Sequence, residues 1–461
     1  MRNDPSGGRL SGLRSSVPMG RGPHSVPVLS SLLAGLCSVL VTPDGALSAE
    51  AQARELNILF ILSDQYRWDC VGAAGKRSVH TPHLDRLAKE GTLFNRAYTA
   101  QPVCSPNRAS IVTGLYPHSA GVQDNCTGGG DGERSLPKSS RTMSEMLAPA
   151  GFDCGYFGKW HLGRRDAFKT FPEYPSDGRG DNHYFGKGDT RRYGVDVITE
   201  DAIAFLRRER SQPFYVYVSF YPPHPPFSVP PEYLERYQDV GNQEERTYYA
   251  MCTKIDEKVG DLLKAVDDLG IANRTLVVFT SDHGHNFVRR WNDHQKRLCY
   301  DSAARVPLLM RWPGAIRSGR VTDGLISSVD LTPTILGLAG QPIPAGLQGQ
   351  DLSTLARGQT DKGRDCVFIE NVPYPFKPDK GEERCVFDGR WKLILSSRRA
   401  PELYDLKSDA DEVTNHWEKM AASEPATRLV RLLAAWAHET KDELAPHLIA
   451  ALSPQSRNAT P

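Results

Sequence analysis

Asn57-Ile58-Leu59-Phe60-Ile61-Leu62-Ser63-Asp64-Gln65 is a short run of branched, aromatic and leucine side chains that stops abruptly at three polar residues. It is too short for a buried helix and shows no polar alternation, so it reads as a strand covered on both faces. Three further runs have the same length and composition: Phe152 to Phe157, Phe214 to Phe220 and Thr275 to Thr280. Helix-like stretches lie among them, at Pro82 to Glu90, Ser140 to Ala148, Val197 to Arg208 and Glu244 to Leu269. Strands alternating with helices in this way predict an α/β fold, with a large, mostly parallel sheet sandwiched by helices.

Beyond a Pro/Gly-rich passage from Gly337 to Gly349 the pattern changes. Asp365 to Glu370, Glu383 to Phe387 and Trp391 to Ser396 read as short strands, followed by Glu402 to Leu406 and a helix from about Ala426 to Thr440. A smaller C-terminal antiparallel sheet plus helix is expected there. The resulting division is residues 1–53 as signal peptide and flexible leader, 54–345 as the catalytic α/β domain, 346–450 as a small α+β subdomain and 451–461 as a flexible tail. The leader reading rests on Arg2, Arg9, Arg14 and Arg21 ahead of an apolar run from Val26 to Val41, then small residues around Ala49-Glu50-Ala51. This is the layout of a secretory signal, so the protein is expected to be exported, to the periplasm or outside the cell. Pro27, Ser30, Ser31 and Ser38 interrupt the run, which is short for a bilayer, so no stable membrane span is expected.

At 461 residues and a formal net charge of +1, the chain has no basic run interleaved with aromatics, and no nucleic-acid partner is expected. Nine cysteines are present without a Cys-x-x-Cys pair. One or two bridges among Cys70, Cys126, Cys154, Cys252, Cys299, Cys366 and Cys385 are allowed, whereas a structural zinc site is not expected. The Gly128 to Gly132 cluster follows no strand and is read as a loop.

Ligands of open α/β sheets bind beyond the carboxyl ends of the strands, and all four runs end in polar chemistry. The first ends in Ser63-Asp64-Gln65 and the fourth in Ser281-Asp282-His283-Gly284-His285, which puts two carboxylates at one edge. With amide and imidazole neighbours they can hold a divalent cation, although each aspartate alone could equally cap a turn. The second run leads into Gly158-Lys159-Trp160-His161, where an extended backbone would put Lys159 and His161 on one face. The third continues into Tyr221-Pro222-Pro223-His224, and Lys296 adds a cation ahead of the strand-like Val306 to Met310. In Gln101-Pro102-Val103-Cys104-Ser105-Pro106-Asn107-Arg108, Ser105 reads as a helix N-cap and Pro106 as the first helical residue. Cys104 would then stand at the positive end of a helix dipole, a place that suits an anion.

Cys104-x-Pro106-x-Arg108, with Leu115-Tyr116-Pro117-His118 after it and Thr81-Pro82-His83-Leu84-Asp85-Arg86-Leu87-Ala88 before it, resembles the type I sulfatases of the alkaline phosphatase superfamily. The likeness continues in chain order over residues 56 to 340, and more weakly at Gly389 to Leu393 and Leu403 to Leu406. It implies that Cys104 is oxidised to formylglycine by a formylglycine-generating enzyme. It also implies that Asp64, Gln65, Asp282 and His283 hold one divalent metal with an oxygen of the modified Cys104. Arg108 and Lys159 would position the hydrated aldehyde, and His161, His224 and Lys296 would surround the sulfate. Many family members have aspartate where this chain has Gln65 and asparagine where it has His283. Calcium is the expected ion, and the imidazole admits manganese.

The implied reaction is hydrolysis of a sulfate ester to alcohol and inorganic sulfate. One hydroxyl of the hydrated aldehyde attacks sulfur with Asp282 as proton acceptor, and the metal, Lys159 and Lys296 stabilise the sulfuryl oxygens. His224 is the general acid, assisted by Lys296, and His161 removes the proton that lets sulfate leave. Two rivals stand beside this reading: a phosphonate monoester or phosphodiester hydrolase of the same superfamily, and a non-catalytic carbohydrate-binding protein. A Cys-x5-Arg phosphatase loop is excluded because position 110 is Ser110. The expected substrate is a sulfated small molecule or saccharide. Specificity is expected from Gly128 to Lys138, Asp166 to Arg192 and Phe287 to Arg297, which carry Arg, His and aromatic residues.

Overall fold

A computed structural model of the chain describes residues 56–75, 79–127, 134–163, 183–186, 191–287, 296–372 and 381–452. The leader with Cys37, the Gly128 to Gly132 cluster and most of the three expected specificity loops lie outside the described residues.

Seven strands form the large sheet: β1 (Asn57–Ser63), β2 (Thr92–Phe94), β3 (Asp153–Gly158), β4 (Phe214–Phe220), β5 (Thr275–Ser281), β6 (Leu308–Arg311) and β7 (Arg320–Thr322), in the order β7-β2-β6-β5-β1-β4-β3. The four runs picked out by composition are its parallel heart, with β1 between β4 and β5 and β3 beside β4. β6 runs antiparallel to both β5 and β2, and β7 is parallel to β2. The sheet is therefore mostly parallel, as expected. Its two three-residue strands, β2 and β7, were not foreseen, because pieces that short carry no pattern of their own.

Both faces are covered, which is why the runs lack alternation. Ile58, Phe60 and Leu62 pack in one core with Ile111 and Ile335, from the helices α2 (Cys104–Thr113) and α5 (Leu331–Leu338). Leu59 and Ile61 face the opposite core, built with Leu84, Ile198, Ile255 and Leu262 from α1 (Pro82–Glu90), α3 (Gly194–Leu206) and α4 (Gln243–Asp268). The helix expected over Ser140 to Ala148 is shorter, Met143–Leu147. Thr142 and Glu145 form a reciprocal capping box that fixes its start.

Val367–Asn371 (β8), Glu383–Phe387 (β9), Trp391–Ser396 (β10) and Glu402–Asp405 (β11) make the separate antiparallel sheet, in chain order. Phe368, Val386, Leu393 and Leu395 share a core with Leu429, Leu433 and Trp436 of helix α6 (Glu424–Thr440). Val367, Ile369, Cys385 and Ile394 on the other face pack with Tyr98, Leu298 and Tyr300, so this sheet is buried on both sides. Polar contacts tie it to the first 330 residues. Lys392 Nζ, fully buried, is 2.5 Å from Asp301 Oδ1 and 2.6 Å from Glu412 Oε1, and His118 Nδ1 is 2.7 Å from Glu370 Oε1. All eight described cysteines carry free thiols. Among the described residues no helix is long and apolar enough to cross a membrane.

Candidate active site

Register decides the site. Ser63 lies beside Ser281 and Phe220, and Gly158 beside Ser219, so β1, β3, β4 and β5 end together and the residues after them converge. Asp64 and Asp282 leave adjacent strands side by side, stitched by a hydrogen bond from Gln65 N–H to Asp282 Oδ1 at 3.0 Å. Ser281 Oγ donates to Ser63 O and accepts from Tyr66 N–H, locking the two turns to each other.

Helix α2 points its start at this pair. Cys104 itself is the first helical residue, with Val103 as an extended N-cap, two positions earlier than expected. Ser105 does not cap the helix because its hydroxyl is used elsewhere, donating to His161 O at 2.5 Å and accepting from Cys126 N–H at 3.0 Å. All ten residues of α2 are buried. Cys104 Sγ lies 3.2 Å from Lys296 Nζ, 3.3 Å from His283 Nε2 and 3.5 Å from Asp64 Oδ1. One turn along, Arg108 spans the carboxylates: Nε donates to Asp282 Oδ2 at 2.8 Å and Nη2 to Asp64 Oδ2 at 3.3 Å. Its Nη1 donates to Lys159 O and Ser219 Oγ, both at 2.8 Å.

Lys159 and His161 reach the same pocket, but not through an extended backbone. Gly158 has φ 109° and His161 φ 56°, so the chain turns sharply at the end of β3. A side chain at position 158 would collide with Ser219 O, 2.0 Å from where its Cβ would sit, so this turn requires glycine. The turn seats Lys159 Nζ on Asp64 Oδ2 and 4.4 Å from the Tyr221 ring centroid. His224 Nδ1 is 2.6 Å from Pro225 O and therefore carries the proton, which leaves Nε2 to accept from Lys296 Nζ at 2.9 Å.

The charges settle each other. Burial pushes the Cys104 thiol up, yet Lys159, Lys296 and His283 hold it well below the ordinary thiol value. Burial and Cys104 both push Asp64 upward, but Lys159, His224 and Arg108 keep it far below the usual carboxylate range. His161 and His224 are lowered, first by burial and then by the ammonium groups of Lys159 and Lys296 respectively.

Every candidate residue read from the sequence thus lies in one pocket. Its donor set also fits a metal ion. Asp64, Cys104, Asp282 and His283 each offer an atom, all within 4.8 Å of one another. Gln65 Oε1 is buried and has no hydrogen-bond partner among the described residues, an orphan acceptor that a cation would satisfy. His283 Nδ1 is 2.9 Å from Gly284 O, which leaves Nε2 facing the carboxylates. Sequence reasoning missed Ser219, Asn107, which donates to Asp282 O at 2.6 Å, and His285, which meets Gln65. Only His285 carried a signal, as the second imidazole of the Asp-His-Gly-His run.

Comparison with known proteins agrees with this geometry. The sulfatase family model matches residues 56–341, and the model for the N-sulphoglucosamine sulphohydrolase C-terminal region matches residues 289–439. An ulvan-active sulfatase of Formosa agariphila is 34% identical over 365 residues, 69% of this chain and 68% of the relative. An endo-4-O-sulfatase of Bacteroides thetaiotaomicron is 28% identical over 395 residues, 70% of this chain and 77% of that protein. Among solved structures, the phosphonate monoester hydrolase of Agrobacterium radiobacter superposes with a TM-score of 0.70 at 23% identity, covering 84% of this chain and 96% of that one, a likeness of fold.

Proposed function

The chain belongs to the sulfatase family, and from that premise we propose that it acts on sulfated carbohydrates through a formylglycine made from Cys104. It hydrolyses sulfate esters, releasing alcohol and inorganic sulfate. The observation that carries the finer reading is the surroundings of Cys104 Sγ: an ammonium, an imidazole and a carboxylate within 3.5 Å, at the start of a fully buried helix.

In this reading Asp64, Gln65, Asp282 and His283 hold one divalent ion, calcium, with manganese as the alternative that the imidazole admits. Once bound, the ion and the hydrated aldehyde supply a Lewis acid and a nucleophilic hydroxyl for attack on sulfur. Arg108 holds both carboxylates in place and takes no part in proton transfer. Lys159 and Lys296 present fixed positive charge to the sulfuryl oxygens from either side of Cys104. The Lys296 to His224 hydrogen bond is the route by which a proton reaches the leaving oxygen, because His224 Nε2 carries none of its own. His161, kept neutral by burial and Lys159, is free to accept a proton beside Cys104 in the step that expels sulfate. Export to the periplasm or beyond and encounter with a formylglycine-generating enzyme complete the proposal, which takes residues 54–345 as the catalytic domain and 346–450 as the subdomain that buttresses it.

The test combines mass spectrometry of the Cys104 peptide with turnover of defined sulfated saccharides, an aryl sulfate and an aryl phosphodiester. A peptide bearing aldehyde in place of thiol, and faster turnover of sulfate esters than of the phosphodiester, are expected. Cys104→Ala is expected to fold and to be inactive. Substantial residual turnover in that variant, or preference for the phosphodiester, would overturn the proposal.

A further inference from the structure

Gln65 combines two features that a surface-type amide does not need. Its backbone has φ 69°, a region that non-glycine residues rarely enter, and its side chain is fully buried. The backbone is held there by Tyr248, whose hydroxyl donates to Gln65 O at 2.6 Å, and by the Gln65 N–H bond to Asp282. The side chain is held by one group: Gln65 Nε2 lies 2.7 Å from His285 Nδ1. His285 Nε2 in turn lies 3.1 Å from Glu244 Oε1 on α4.

The roles in this chain are fixed by chemistry. A carboxylate only accepts, so the proton between His285 and Glu244 sits on Nε2, and Nδ1 is the acceptor for the amide N–H of Gln65. With its NH2 turned to His285, Gln65 must turn its oxygen the other way, and that oxygen is buried with no hydrogen-bond partner among the described residues. The ring itself is enclosed by aromatics: Tyr248 stacks on it at 5.2 Å between centroids and Phe287 meets it edge-on at 4.5 Å. Packing alone would be served there by an apolar side chain, since a buried imidazole is costly unless its nitrogens are bonded.

We propose that His285, oriented by Glu244, is a positioning residue that fixes the Gln65 amide with its oxygen toward the metal. The inference rests on the metal-dependent reading of the site given above. It accounts for how a neutral amide can serve beside the two carboxylates of the site. A carboxylate presents oxygen whichever way it rotates, whereas an amide can present NH2 and repel the cation, so it needs a partner that sets its orientation.

The experiment measures Mn2+ affinity of the purified full chain from the paramagnetic resonance signal of free Mn2+. His285→Leu is expected to weaken binding about 10- to 100-fold. His285→Asn, which can return an acceptor near the position of Nδ1, is expected to stay within about threefold of wild type. In a Gln65→Ala background, His285→Leu is expected to add nothing, because the amide it orients is gone. Equal losses in His285→Leu and His285→Asn, or a full additional loss in the Gln65→Ala background, would show general disruption and overturn the proposal. Unchanged affinity in Gln65→Ala would overturn it too, while wild-type turnover of sulfate esters would leave the functional reading standing. A wild type that binds Mn2+ without turning over sulfate esters would fail that functional reading and leave the His285 result intact.

Discussion

Replacing Arg108 by methionine keeps the length of an apolar stem and removes the one guanidinium that spans Asp64 and Asp282. Arg108 is 1% exposed, and its loss falls on buried partners: two fully buried carboxylates lose hydrogen bonds of 3.3 and 2.8 Å, and Lys159 O and Ser219 Oγ lose donors at 2.8 Å. Asp64 keeps Lys159, but among the described residues Asp282 retains the Gln65 N–H and the neighbouring His283 imidazole. Removing one partner of such a buried pair costs about 3–5 kcal/mol, because an uncompensated charge stays behind. Ser219→Ala, which removes a neutral hydroxyl that accepts from Arg108 and donates to Lys159 O, should cost only about 1–2 kcal/mol. The assay is urea denaturation of metal-free protein followed by tryptophan fluorescence, repeated with saturating Ca2+ or Mn2+. Deleting a cation makes the pocket more negative, so metal should stabilise the Arg108→Met protein more than wild type and narrow the gap. A metal-free Arg108→Met protein within about 1 kcal/mol of wild type, or a gap that widens with metal, would refute the reasoning.

Chelation is expected to abolish turnover and lower the melting temperature, with about 2.7 kcal/mol of stability restored at a metal concentration 100 times Kd; a melting point indifferent to chelator would contradict the site. Lys392→Met should cost about 3–5 kcal/mol by taking the buried ammonium away from Asp301 and Glu412, and hydrogen exchange should accelerate in residues 383–405; a neutral effect would show that the small sheet docks by packing alone. The pKa of His118 is raised: burial works against its charge, but Glu370 and the Thr440 carbonyl, 2.7 and 3.1 Å from its two nitrogens, favour it. Its contribution is therefore complete below about pH 6.5 and lost as pH rises through the higher folded value, so the stability difference between wild type and His118→Phe should shrink on the alkaline side. A difference that is constant from pH 6 to 9 would count against the charged pair.

The sequence announced most of what positions the chemistry, for a physical reason. Strands buried on both faces are conspicuous as unbroken apolar runs, and the residues that terminate them must converge because parallel strands end at the same edge. Asp64, Lys159, His224 and Asp282 were legible on that account alone. Cys104 was legible as a residue at a helix start, although two positions off because the Ser105 hydroxyl bonds across to His161 instead of capping; its modification and the role of Arg108 came from the family resemblance. What stayed hidden was contact between segments far apart in the chain. Nothing near Glu244 indicates that it meets His285, and nothing near His118 indicates Glu370, because each pairing exists only after the sheet and its helices have assembled. A two-residue spacing looks extended on paper, whereas the chain turns after Gly158, with positive φ at Gly158 and His161 and no room for a side chain beside Ser219 O.

The complete enclosure of helix α2 sets a timetable for the modification proposed at Cys104. With Cys104 at 0% exposure, no macromolecular catalyst could approach its thiol in the folded chain. The proposed conversion would then have to precede folding, and a molecule that folded first would remain a thiol for as long as it stayed native. Material expressed without the converting enzyme should accordingly be well folded, inert, and unrescued by adding that enzyme afterwards.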